Sequence, residues 1–85
     1  MPTAQDFITE LQAQLRAAES KGIPHVDIAS GDLHRKVGDY PHPIRHRMKI
    51  CCRVMYGEQR PGDRVLRSPP KGNGATLIIR YTLPR

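Results

Sequence analysis

The sequence predicts a small α+β domain whose elements follow the order helix, strand, helix, helix, strand, strand. Three observations lead to this prediction. Apolar residues recur at helical spacing in three separate segments. Clusters of glycine and proline at 22–24, 38–43 and 59–63 end or separate these segments. The run 76–83 is rich in β-branched and aromatic residues, which favour strands. A chain of 85 residues suits one domain, so we expect residues 1–85 to fold together.

The first helix is expected to begin after Thr3, a good N-cap residue, with Asp6 placed to stabilise the positive end of the helix. The glycine and proline at 22–24 end it. Its inward residues recur at helical spacing and are Phe7, Ile8, Leu11, Leu15 and Ala18. A short strand is expected next, because Val26 and Ile28 alternate with polar neighbours.

Two helices follow this strand. The shorter one, over 31–38, is expected to be capped by Ser30 and to face the core with Leu33 and Val37. After a turn that contains prolines, a longer helix is expected over 44–58. Its apolar face carries Ile44, Met48, Cys51, Cys52 and Met55, and its opposite face carries Arg45, Lys49 and Arg53.

The C-terminal segment 64–82 is expected to form a hairpin around the loop 68–74, whose glycines permit backbone conformations that other residues avoid. The first strand joins this hairpin in a three-stranded antiparallel sheet, and Leu77, Ile79 and Tyr81 face the helices. This is the order of elements of a winged helix-turn-helix, in which the third helix enters the DNA major groove. The turn between the second and third helices is longer than the usual length of about four residues.

The charge of the chain is unevenly distributed. The net charge is +6 and the isoelectric point is near 9.9. Residues 1–30 carry two basic and four acidic side chains, whereas residues 31–85 carry twelve basic and four acidic ones. The second segment therefore has a net charge of +8, against −2 for the first. This asymmetry predicts a surface that binds a polyanion; the alternative is a basic surface that only keeps the domain in solution.

Basic residues fall on the elements that would meet double-stranded DNA. The stripe on the third helix has no acidic member and is the candidate for base contacts in the major groove. The hairpin and the polar face of the second helix are candidates for contacts with backbone phosphates. The predicted DNA-binding residues are Arg45, His46, Lys49 and Arg53 from the third helix, Arg67 and Lys71 from the hairpin, and Arg35 and Lys36 from the second helix. Tyr56 lies close to the stripe on the third helix.

Residue spacing supports no metal, cofactor or catalytic site. His42 and His46 are four residues apart, but a proline and a helix start lie between them and no Cys-x-x-Cys pair exists, so we expect no zinc. The glycine-rich segment that begins at Lys71 lacks the spacing of a nucleotide-binding loop. No nucleophile or acid–base motif is present, so we expect the chain not to be an enzyme.

Cysteine usage and hydropathy predict the compartment. Adjacent Cys51 and Cys52 inside a helix are poorly placed for a disulfide and are expected to be reduced packing residues. No apolar run is long enough to span a membrane, and the N-terminal segment lacks the features of a signal peptide. We therefore expect a cytoplasmic protein with no membrane partner.

A further signal comes from three segments, which are DLHRKVGDYP at 32–41, HRMKICCRVM at 46–55 and PPKGNGATLIIRYTLPR at 69–85. They resemble a group of short bacterial proteins and domains found beside or fused to HNH-type restriction endonucleases. The resemblance covers about residues 25–85 and implies a DNA-associated role in restriction, defence or mobile-element biology; transcriptional regulation also fits a small DNA-binding domain. The nuclease motif is absent from the chain, so no catalytic residue carries over.

A protein partner is the alternative to DNA. The chain would then be an interaction subunit or inhibitor of a nuclease or restriction complex, and its basic face would meet an acidic partner. The surface of the first helix would in turn suit a homodimer. Affinity for random duplex DNA separates the two interpretations, because binding to phosphates weakens steeply with salt.

Overall fold

The computed structural model describes residues 2–38, 40, 42 and 47–85. The described residues form three helices and three strands in the order α1 (Ala4–Ser20), β1 (His25–Ala29), α2 (Ser30–Val37), α3 (Met48–Gly57), β2 (Arg64–Arg67) and β3 (Ile78–Thr82). The strands form one antiparallel sheet with the order β1-β3-β2. The predicted α+β class, element order and three-stranded antiparallel sheet are confirmed.

The start of α1 agrees with the prediction. The side chain of Thr3 accepts a hydrogen bond from the Asp6 backbone N–H at 3.2 Å, and the Asp6 carboxylate accepts one from the Thr3 backbone N–H at 2.8 Å. This reciprocal pair satisfies two N–H groups that the first helical turn leaves without partners. The buried residues of α1 are Phe7, Leu11, Leu15 and Ala18, whereas the predicted inward residue Ile8 is only half-buried.

The start of α2 differs from the prediction. The N-cap is Ala29, and Ser30 is the first helical residue and is fully buried. The Ser30 hydroxyl donates to the carbonyl oxygen of Gly74 and so joins the start of the helix to the loop that precedes β3. The prediction of a Ser30 cap is wrong, because the helix begins one residue earlier than expected and leaves Ala29, which has no capping side chain, at the cap position. Leu33 is buried as expected, and Val37 is half-buried.

α3 begins later than predicted. Arg47 is its N-cap and has non-helical dihedrals (φ −127°, ψ 50°), so the predicted helix over 44–58 is too long at this end. The Arg47 backbone N–H donates to Nε2 of the fully buried His34 at 2.8 Å. The side chain of His34 thus links the end of α2 to the start of α3. Residues 44–46 lie outside the described part of the chain.

The sheet contributes its helix-facing side, called here the inner face, to the core. β3 is the central strand. It is shorter than the predicted run 76–83, because Thr76 lies in a turn in which the Leu77 N–H donates a hydrogen bond to the Gly74 carbonyl oxygen. On the inner face Ile28 pairs with Ile79. The core consists of the buried residues of α1 and α3 with Ile28, Leu33, Leu77, Ile79, Tyr81 and Leu83.

The turn between α3 and β2 is fixed by the carboxylate of Asp63. One oxygen accepts hydrogen bonds from the Thr82 backbone N–H at 2.7 Å and the Thr82 hydroxyl at 2.8 Å. The other accepts from the Arg60 backbone N–H at 2.7 Å and from the Arg85 guanidinium at 2.9 Å. Burial alone raises the pKa of Asp63, but these four donors outweigh it and lower the pKa to about 2. The turn is thereby held to the end of β3.

Among the described residues, no helix has both the length and the apolar character needed to cross a bilayer.

Candidate nucleic-acid interface

The exposed side of α3 is a short cationic stripe made of Lys49 and Arg53. These two side chains are one helical turn apart and exposed. The remaining sides of the helix face the core through Met48, Cys51, Cys52, Val54 and Met55, all buried. Within the described part of the chain neither Lys49 nor Arg53 forms a salt bridge. The stripe therefore presents two uncompensated positive charges to the solvent.

The loop between β2 and β3, residues 68–77, packs beside this stripe. The Tyr56 hydroxyl donates to the Gly72 carbonyl oxygen at 2.9 Å, and the Gly74 N–H donates to Sγ of Cys52 at 3.4 Å. At about 100° of rotation per residue, Lys49 lies about 20° from Tyr56 and about 40° from Arg53 around the helix axis. The loop thus adjoins the Lys49 side of the stripe.

The same loop is also anchored to α2. The Gly31 N–H donates to the Ala75 carbonyl oxygen at 3.2 Å, next to the Ser30 hydroxyl bond described above. A Cβ atom at Gly31 would lie 3.2 Å from that oxygen and 3.3 Å from the Cβ of Ala75, so a side chain at this position would contact the loop tightly. The loop is held against the helices rather than extended into solvent.

Lys71 is carried by a tight turn in this loop. The Gly72 N–H donates to the Pro69 carbonyl oxygen at 2.9 Å, and Gly72 adopts the left-handed conformation (φ 79°) that glycine reaches without strain. Lys71 is exposed and immediately precedes the residue that binds Tyr56. The structure therefore anchors the turn that carries Lys71 to the C-terminal half of α3 through Tyr56.

The two predicted residues of α2 have different surroundings. Arg35 pairs with Asp32 at 3.1 Å, and both side chains are well exposed. Lys36 is exposed and lines a shallow groove with two acidic residues of α1, Asp6 and Glu10. The structure thus pairs Arg35 with one carboxylate and places Lys36 beside two others.

Arg67 lies on the side of the sheet away from the helices, called here the outer face. Arg64 stands opposite Arg80 and Val65 opposite Ile79, but Arg67 stands opposite Ile78 because of a β-bulge between Val65 and Arg67. The bulge puts Arg67 on the same face as Arg64. Sequence reasoning did not select Arg64, because the bulge that groups it with Arg67 leaves no signal in the sequence.

Two predicted site residues, Arg45 and His46, lie outside the described part of the chain.

The described residues contain no group of three or more histidine, cysteine, aspartate or glutamate side chains that could hold a metal ion. Cys51 and Cys52 are free thiols that are fully buried. Burial is the main cause that raises the pKa of the Cys51 thiol to about 12, and the neighbouring Cys52 contributes less. The thiol is therefore protonated at neutral pH, and a protonated thiol is a poor nucleophile.

No protein-family model, curated protein or solved structure matches the chain. The resemblance to proteins that accompany HNH-type endonucleases therefore stays a prediction, and functional assignment depends on the geometry of the described residues.

Proposed function

We propose that this protein is a winged-helix domain that binds duplex DNA, with α3 in the major groove and the loop 68–77 against the sugar-phosphate backbone. The fold assignment is supported by the sheet order β1-β3-β2 and by the position of α2 and α3 between β1 and β2 in the chain. The loop acts as a wing that is folded back onto α3 through Tyr56.

One observation carries the proposal. Lys49, Arg53 and Lys71 are exposed cations without salt bridges among the described residues, and Tyr56 couples the two elements that bear them. Preorganised cations on one side of a small domain match the requirement of a phosphate backbone for several simultaneous contacts.

The test is a fluorescence-anisotropy titration of the protein against a random-sequence duplex at two salt concentrations. The double variant Lys49→Glu/Arg53→Glu is compared with Arg16→Glu/Lys21→Glu, which changes the net charge equally but on the exposed surface at and just after α1. We expect the α3 variant to lose at least about tenfold in affinity, and the α1 variant to stay within about threefold of the wild type. If both variants lost the same affinity for DNA, the loss would be explained by net charge alone, and an interface on α3 would be contradicted.

A further inference from the structure

We propose that β2 is the docking edge for an extended segment of another protein in which acidic and apolar side chains alternate. This inference goes beyond DNA binding and uses a different surface. The segment would lie beside β2 as a fourth strand, with its apolar side chains over the inner face and its acidic side chains along the outer face. Three features of β2 lead to this assignment.

The first feature is that β2 is an edge strand whose inner face is uncovered. Val65 points to the same face as its partner Ile79, but Ile79 is fully buried whereas Val65 is 40% exposed. The next residue, Leu66, is the unpaired residue of the bulge rather than a member of the inner face, and it is 44% exposed. Among the described residues only Ile23 is another large apolar side chain with comparable exposure. The helical layer therefore stops short of β2 and leaves a small apolar shelf beside a free strand edge.

The second feature is the charge of the outer face. Arg64 and Arg67 are exposed there, and neither forms a salt bridge within the described chain. Arg80, which lies opposite Arg64, is already paired with Asp27 through two hydrogen bonds of 2.8 and 3.1 Å. Arg64 therefore has an arginine as its cross-strand neighbour, and the Asp27 carboxylate on this face is directed to that arginine rather than to Arg64.

The third feature is that these charges oppose antiparallel pairing of β2 with the same strand of a second copy. Two β2 strands paired in antiparallel orientation would bring Arg64 of one copy next to Arg67 of the other. The same arginines favour a carboxylate-bearing strand, because the charges across the new edge are then complementary. The free edge thus selects a partner by charge, and the exposed apolar shelf gives that partner a surface to bury.

The opposite edge of the sheet lacks this combination. On β1, Ile28 is buried and Val26 is half-buried, so its inner face is already covered by the helices. Its outer-face Asp27 is occupied by Arg80. β2 is therefore the edge at which main-chain hydrogen-bonding groups, apolar surface and unpaired positive charge coincide.

The experiment uses the full chain and three synthetic eight-residue peptides with a fluorophore. One peptide alternates glutamate and valine, a second has the same composition in two blocks, and a third alternates lysine and valine. We expect the wild type to bind the alternating acidic peptide at least about tenfold more tightly than either of the others. Equal affinity for the alternating and block peptides would show that binding depends on the total charge of the peptide and not on the alternation of its side chains, and this would overturn the proposal.

Variants test the assigned residues. Arg64→Glu/Arg67→Glu is expected to reverse the preference toward the lysine peptide, and Val65→Thr, which retains a β-branched side chain, is expected to weaken binding of the acidic peptide several-fold. Amide hydrogen exchange of the wild type provides evidence that does not depend on the folding of variants. We expect slower exchange in β2 when the acidic peptide is bound, and unchanged exchange there would refute strand addition.

DNA titration of the same variant separates this inference from the proposed function. If the wild type binds none of the peptides and Arg64→Glu/Arg67→Glu loses as much duplex affinity as Lys49→Glu/Arg53→Glu, the outer face is a phosphate-binding surface and the docking edge is refuted. If peptide binding follows the expected pattern while no variant binds DNA, the docking edge stands and the proposed function fails.

Discussion

Replacing Asp63 by asparagine is expected to destabilise the domain and to remove one pH-dependent component of its stability, the one due to the Asp63 carboxyl. The carboxylate is 1% exposed, and it accepts four hydrogen bonds that hold the turn after α3 to β3 and to Arg85. Asparagine keeps one acceptor oxygen, but its NH2 group replaces the other oxygen and faces N–H or O–H donors with which it cannot form the same hydrogen bonds. Arg85, which is 11% exposed, would also lose its counter-charge.

The magnitude follows from the pKa of Asp63. The difference between its pKa of about 2 and the ordinary value of 3.8 corresponds to about 2.5 kcal/mol of stability. Because the folded-state pKa is the lower one, this stability is fully present above the unfolded-state pKa and is lost as the pH falls through the folded-state pKa. About 2 kcal/mol of it is expected to disappear between pH 7 and pH 2. The variant lacks this component at every pH.

The assay is urea denaturation followed by far-ultraviolet circular dichroism at pH 7, 5, 3 and 2. We expect Asp63→Asn to be about 2–4 kcal/mol less stable than the wild type at pH 7, with a gap that narrows toward pH 2. Asp32→Asn serves as the control, because that carboxylate is 78% exposed in its pair with Arg35 and should change stability by less than about 0.5 kcal/mol. A gap between wild type and Asp63→Asn that is constant across pH would refute the argument from the pKa.

Three further predictions concern the loop and the core. Tyr56→Phe removes the hydrogen bond to the Gly72 carbonyl oxygen and is expected to lower the unfolding free energy by about 1 kcal/mol and to speed amide exchange in the loop; unchanged exchange would contradict a role in holding the loop. Gly31→Ala is expected to destabilise the domain by about 1 kcal/mol in urea denaturation, because contact with Ala75 outweighs the better helix propensity of alanine, and a stabilised variant would show that the loop yields easily. Cys51 should resist alkylation by iodoacetamide at neutral pH until urea unfolds the chain, and rapid modification of the native protein would be inconsistent with its burial.

Elements with local signals were the most predictable part of the fold. The capping pair of Thr3 and Asp6 and the helical spacing of Leu11 and Leu15 depend on residues three or four positions apart, so they can be recognised before any tertiary contact is known. The inner face of β3 follows in the same way from strict alternation, as Ile79 shows. The α+β class and the order of elements were therefore accessible from the sequence.

Features that depend on distant residues were not accessible. Ser30 has the composition of a helix cap, but its hydroxyl binds Gly74, 44 residues away, because the loop before β3 packs there. α3 begins at Met48 rather than at residue 44, and the Arg47 N–H at this start is bound by His34. In each case the folded chain supplies a distant partner that no local pattern identifies.

The same division applies to the candidate sites. The amino-acid sequence alone determined that Lys49 and Arg53 share a face of α3 opposite the core, since helical periodicity fixes that relationship. Only the tertiary structure decided that the loop with Lys71 lies beside them, and that Arg64 and Arg67 share the outer face of the sheet. The physical reason is that a bulge changes which face a strand residue occupies, and its position is set by pairing with β3 rather than by the residues of β2 itself.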